Sequence, residues 1–172
     1  MQLDNEIIES FQEEANQIIG ELKVVVEKLE DHSGSFPKEL LEDFANKADR
    51  IMGTANTFST MYPDHKIFSQ IGKFGELCKA TGYKATTLNH QGLVPIFAAF
   101  WADTLDIMEE LCNNVGDDGK IKDLTKGYIP VLQKRLTWLA HQIVSLTKGG
   151  AAESESKINV DGILRRMGIE VD

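Results

Sequence analysis

The stretch "LLEDFANKADRIMGTANTF", residues 40–58, decides the fold. Its apolar residues Leu41, Phe44, Ala48, Ile51, Ala55 and Phe58 recur at alternating steps of three and four. That period places them on one stripe of an amphipathic helix. Downstream, "MYPD" ends the helix, because Pro63 cannot continue it and restricts the residue before it. Upstream, "DHSGSFP" separates it from another helical stretch by Gly34 and Pro37.

The same period extends outward in both directions. Ile8, Phe11, Ala15, Ile18, Leu22, Val25 and Leu29 form the stripe of a long first helix. A third helix carries Ile67, Ile71, Phe74 and Cys78 and fades at "TGYKATT". A fourth runs from about Leu93 to Cys112, with Phe97, Trp101, Leu105 and Met108 inward. "NNVGDDGK" reads as a turn cluster. A fifth helix shows Ile129, Leu132, Leu136, Leu139, Ile143 and Leu146, with Pro130 early, where a missing N–H costs least. No segment alternates as a strand does. The expectation is an all-α, antiparallel up-down bundle of about five helices over residues 1–147.

After Lys148 the composition changes. Residues 148–157, "KGGAAESESK", are small and polar and read as a flexible linker. Residues 158–172 follow as a short amphipathic helix with Val160, Ile163, Leu164 and Met167 on one face, Asn159 as N-cap and Gly168 as the stop. So short a helix is unstable alone in water and must dock on its own bundle or on a neighbour.

Composition narrows the function. The 172 residues carry a formal charge of -9, which argues against nucleic acid and anionic lipid as partners. No apolar run has the length to span a bilayer, and "MQLDNEIIES" has neither the basic nor the apolar region of a signal peptide. A cytoplasmic location is expected. Cys78 and Cys112 lie inside apolar helical patterns and read as buried thiols. His32, His65, His90 and His141 show no ligand spacing, so neither metal nor cofactor is expected.

The residues 48–58, "ADRIMGTANTF", carry a resemblance. They are similar to the A-H-x-x-K-G-x-x-x-T-F segment of the histidine phosphotransfer domain found at the N-terminus of chemotaxis-type histidine kinases, with Ala48, Gly53, Thr57 and Phe58 matching. "IIESFQEEANQIIGELKVVVEKLE" is similar to that family's acidic first helix, and "DTLDIMEEL", residues 103–111, to its fourth. The likeness spans roughly residues 4–115 and implies a helical bundle that docks a response-regulator receiver domain. Two positions depart from the family. The phosphoryl acceptor position holds Asp49, and the lysine three residues later is Met52. Phosphotransfer through histidine needs a neutral imidazole nitrogen as nucleophile. Phosphorylation of an aspartate uses a divalent metal held by an acidic cluster, and Glu42 and Asp43 sit about two turns away. None of the histidines is followed by Lys at +3 and Gly at +4. The resemblance therefore implies a non-catalytic, degenerate module with no catalytic residues.

Ala45, Asp49, Met52, Gly53 and Asn56 share a stripe beside the core seam. In the family this face docks the receiver, so these residues are the expected contact surface for a receiver domain or histidine kinase. Asp49 could imitate part of a phosphohistidine's charge. The tail segment "NVDGILRRMGI" is similar to receiver-binding peptides of the chemotaxis phosphatase and the flagellar switch protein, which adds Val160, Ile163, Leu164 and Met167 as partner-contact candidates. Capping of the bundle is the other role open to it. Two rival functions remain: a helical response-regulator phosphatase using an acid–amide pair such as Glu13 and Gln17, and a self-associating bundle whose exposed stripe makes a homodimer.

Overall fold

A computed structural model describes residues 2–147 and 159–167 of the chain. The linker expected over 148–157 and the stop expected at Gly168 lie outside the described residues. Six α-helices are present among those described: α1 (Asn5–Glu30), α2 (Lys38–Met61), α3 (Lys66–Leu88), α4 (Val94–Asn113), α5 (Asp118–Thr147) and α6 (Val160–Arg166). A 3-10 turn, Gln91–Leu93, links α3 to α4. No strand occurs among the described residues, and the fold class is the expected all-α bundle.

Helix ends follow local chemistry. Asp4 caps α1 by accepting a hydrogen bond from the Glu6 amide at 3.2 Å, which satisfies one of the orphan donors of the first turn. Asn89 ends α3 with a left-handed φ of 48°, a conformation that Asn tolerates better than most residues. Asn159 caps α6 through the Gly162 amide at 2.8 Å.

The first four helices form a ring. Each packs on its neighbour in the chain, and α1 closes the ring against α4. Their stripes meet in one core in which Phe11, Phe44, Ile51, Phe74, Phe97, Trp101 and Met108 are fully buried. Trp101 stacks on Phe44 with ring centroids 4.0 Å apart, and its indole N–H donates to Thr81 Oγ1 at 2.8 Å. That bond satisfies a buried donor that would otherwise cost about 1–3 kcal/mol. Helix α5 packs on α4 and the 3-10 turn, and α6 packs on α5.

Two expectations about helix extent need correction. Helix α3 does not fade at "TGYKATT" but continues to Leu88. There the hydroxyls of Thr81, Thr86 and Thr87 donate to the carbonyls of Leu77, Gly82 and Tyr83, four residues back. These β-branched polar residues thus fold their hydroxyls onto the helix instead of ending it. Helix α5 begins at Asp118, inside the expected turn cluster, where Asp117 Oδ1 accepts from the Lys120 amide at 2.9 Å. Pro130 therefore lies in the interior of α5, and no amide at 130 reaches the carbonyl of Lys126. Full burial along α5 starts only at Leu132. Ile129 is half-buried, and Leu146, expected inward, is 41% exposed.

Candidate functional site

The stripe of α2 expected to face a partner runs along the seam with α3. Helix α3 presents Gly72, Gly75 and Gly82 to it. A Cβ at Gly75 would lie 2.9 Å from the Cα and N of Met52, one at Gly82 3.1 Å from the Ala45 Cβ, and one at Gly72 2.5 Å from Asn56 Oδ1. Absence of side chains on α3 lets the two backbones approach closely. The stripe's accessibility is corrected accordingly: Ala45 is fully buried under Gly82, and Met52 is half-buried over Gly75. Its small residues serve the chain's own third helix first. Asp49, Gly53 and Asn56 remain exposed. Nothing lies within 4 Å of where a Gly53 Cβ would stand, so no contact within the bundle accounts for a glycine there.

Asp49 has a partner that sequence spacing did not reveal. Lys79 of α3 donates through Nζ to Asp49 Oδ1 at 2.6 Å. The hydrogen bond to Asp49 is the leading cause that raises the Lys79 ammonium above its ordinary value. The carboxylate at position 49 is thus half of a neutralised pair, which makes it a weak imitation of a doubly charged phosphoryl group. Around it, Arg50 pairs with Glu21 of α1 at 2.8 Å, and Thr54 donates to Glu14 at 2.9 Å. The remaining motif residues are structural. Ala48 is fully buried, Thr57 bonds back to the Gly53 carbonyl, and Phe58 packs edge-on against Phe11 at 5.0 Å.

The tail's apolar face is turned to its own bundle. Leu164 is buried at 3% exposure, and Val160, Ile163 and Met167 are partly buried against the same core. These four residues, expected as partner contacts, are occupied within the chain. Arg166 of α6 reaches Glu76 of α3 at 3.7 Å. Between α3 and α6 lies an open cleft of about 620 Å³ lined by Ala80, Lys84, Ile163 and Arg165 among others.

The remaining polar and titratable side chains are dispersed. Glu13 and Gln17 are both exposed on α1. Asp106 and Glu109 hold Lys23 at 3.0 and 2.6 Å, while Asn113 accepts from Asn16. His32 contacts the Ser35 carbonyl, His65 and His90 are half-buried, and His141 is exposed. Cys78 and Cys112 are buried free thiols, and burial pushes each up to about 12. Among the described residues no three His, Cys, Asp or Glu side chains converge as metal ligands would. No described helix is long and apolar enough to cross a membrane.

Comparison with protein-family models, with curated proteins and with solved structures returns no match to this chain.

Proposed function

We propose that this chain is a phosphotransfer-like helical module that binds a receiver domain or histidine kinase of a two-component pathway and does not itself carry phosphate. One observation carries the reading. At the acceptor position of the segment 48–58, an exposed carboxylate replaces the imidazole, while the flanking Gly53 leaves the ridge of α2 open to a partner's backbone. A carboxylate with a lysine partner and, among the described residues, no cluster of metal-ligating side chains lacks the metal-assisted route to an acyl phosphate. Binding uses the surface of the ridge and survives loss of the acceptor. Lys79 places a cation beside position 49 from a second helix, where the resembled family uses the residue at position 52.

The test titrates the full chain with receiver domains, unphosphorylated and phosphorylated by a small acyl phosphate, and follows both heat of binding and phosphate loss. The expected result is saturable binding with unchanged phosphate lifetime, abolished by Gly53→Arg. An arginine there meets open space, so the variant keeps its helicity. Unaltered affinity of Gly53→Arg overturns the docking face. Faster phosphate loss that disappears in Gln17→Ala overturns the non-catalytic reading in favour of a phosphatase.

A further inference from the structure

The tail helix and the Asp49 ridge are joined by one line of charge. Glu76 and Lys79 are three residues apart on α3, so their side chains are neighbours on its surface. Lys79 holds Asp49 of α2 on one side, and Glu76 meets Arg166 of α6 on the other. Negative and positive groups thus alternate across three helices: Asp49, Lys79, Glu76, Arg166. The Asp49 hydrogen bond first, and the charge of Glu76 in addition, hold the proton on Lys79.

The hold on α6 is weak enough for this line to matter. Leu164 is its one buried side chain among those described, and a helix of seven residues does not persist without its docking surface. Eleven residues separate Thr147 from Asn159, so the released helix stays tethered near its site and rebinds. A modest change in one ion pair shifts such an equilibrium measurably.

We propose that α6, packed on α5 and facing α3, is a self-ligand whose docking reads the charge at position 49. When Asp49 is paired by an outside cation, Lys79 turns to Glu76. Glu76 then attracts Arg166 less, and α6 loosens. The partner this favours presents a lysine or arginine to Asp49, which suits a chain of charge -9. Its arrival at the ridge uncovers the part of α3 that faces α6, around Leu77 and Ala80. This functional consequence rests on the proposed role of the Asp49 ridge. The coupling itself needs no partner and is tested separately.

The experiment is amide hydrogen exchange on the full chain. Protection at Ile163 and Met167, whose amides bond to Asn159 and Ile163, reports the docked fraction of α6. Asp49→Asn removes the outer charge and frees Lys79. Protection at both amides should fall by up to about two-fold, a part of what an exposed ion pair is worth, with α1–α4 unaffected. Glu76→Gln, which removes the pair with Arg166 outright, should cause a larger fall, roughly two- to five-fold, the range of an exposed ion pair. Adding Asp49→Asn to Glu76→Gln should then change nothing further, because the middle link is gone. Unaltered protection in Asp49→Asn overturns the proposal. An Asp49→Asn effect that persists undiminished in the Glu76→Gln background also overturns it, since the signal would bypass Glu76.

Discussion

Replacing Gly75 by alanine should separate two readings of the glycines around the α2 ridge. In a helix interior, Gly→Ala gains about 1 kcal/mol from reduced chain entropy and better propensity. At Gly53 that gain is unopposed, because nothing beyond its own stretch of helix lies within 4 Å of the new methyl. At Gly75 the methyl lands 2.9 Å from the Cα and N of Met52. Those are backbone atoms of a packed helix and cannot rotate aside. Ordinary contact begins near 3.4 Å, so α2 and α3 must part by about 0.5 Å (3.4 less 2.9). Overpacking of this kind costs about 1–3 kcal/mol, and backbone against backbone belongs at the upper end. The net effect of Gly75→Ala is a loss of about 1–2 kcal/mol, against a gain of about 1 for Gly53→Ala. The two variants should differ by about 2–3 kcal/mol in urea denaturation, or by several degrees in Tm at about 2–4 °C per kcal/mol. Gly75→Ala as stable as the parent chain would refute the close seam, and with it the account of why Ala45 and Met52 are sheltered.

Removing residues 149–172 should leave a single cooperative unfolding transition, with a loss near the 1.5–3 kcal/mol of burying one leucine; a broad, non-cooperative melt would make the tail part of the core. Both cysteines should resist thiol reagents in the native chain at pH 8 and react on unfolding, because burial pushes each thiol up to about 12. The unfolded thiols ionise from near 9.0 upward while the folded ones stay protonated. Stability should therefore fall as pH rises between those two values, and a flat profile there would contradict the burial. Trp101→Phe deletes the bond to Thr81 and trims a fully buried ring; a loss of about 1–3 kcal/mol is expected in denaturant titration. Incubation with a histidine kinase or a phosphorylated receiver should leave no acid-labile phosphate on His65, His90 or His141.

Apolar period revealed the ring because each stripe has the same physical cause, a one-sided core. Leu41, Phe44, Ala48, Ile51 and Ala55 are all buried as spaced. The period failed where polar residues hold a helix together by other means. Thr86 and Thr87 sustain the end of α3 through their own hydroxyls, a contribution that a hydrophobic pattern does not register. It failed again at α5, whose first three turns carry no fully buried residue and so print almost no stripe. Asp49 was legible as a departure from the segment that residues 48–58 resemble. Its ion pair was not, because Lys79 is thirty residues away in the chain and becomes adjacent only when α2 and α3 pack. The glycines at 72, 75 and 82 were the available signal: small residues at helical spacing on α3 facing a stripe of small residues on α2.

The closure of the ring by α1 against α4 carries a consequence for how the chain folds. Gln12 donates to the carbonyl of Cys112, and Lys23 reaches Glu109, across 100 and 86 residues. Helices α2 and α3, by contrast, are joined by four residues, Tyr62 to His65. Local contacts form before distant ones because their loop-closure entropy is smaller. The α2–α3 hairpin is the natural nucleus, while α1 precedes α4 in the chain and waits longest for its second neighbour. Through that interval Phe11, Ile18 and Leu22 lack half of their cover, and the outward row of Glu6, Glu9, Glu13 and Glu14 keeps the waiting helix in water. Damage to the α2–α3 seam should then slow folding, and damage between α1 and α4 should instead hasten unfolding.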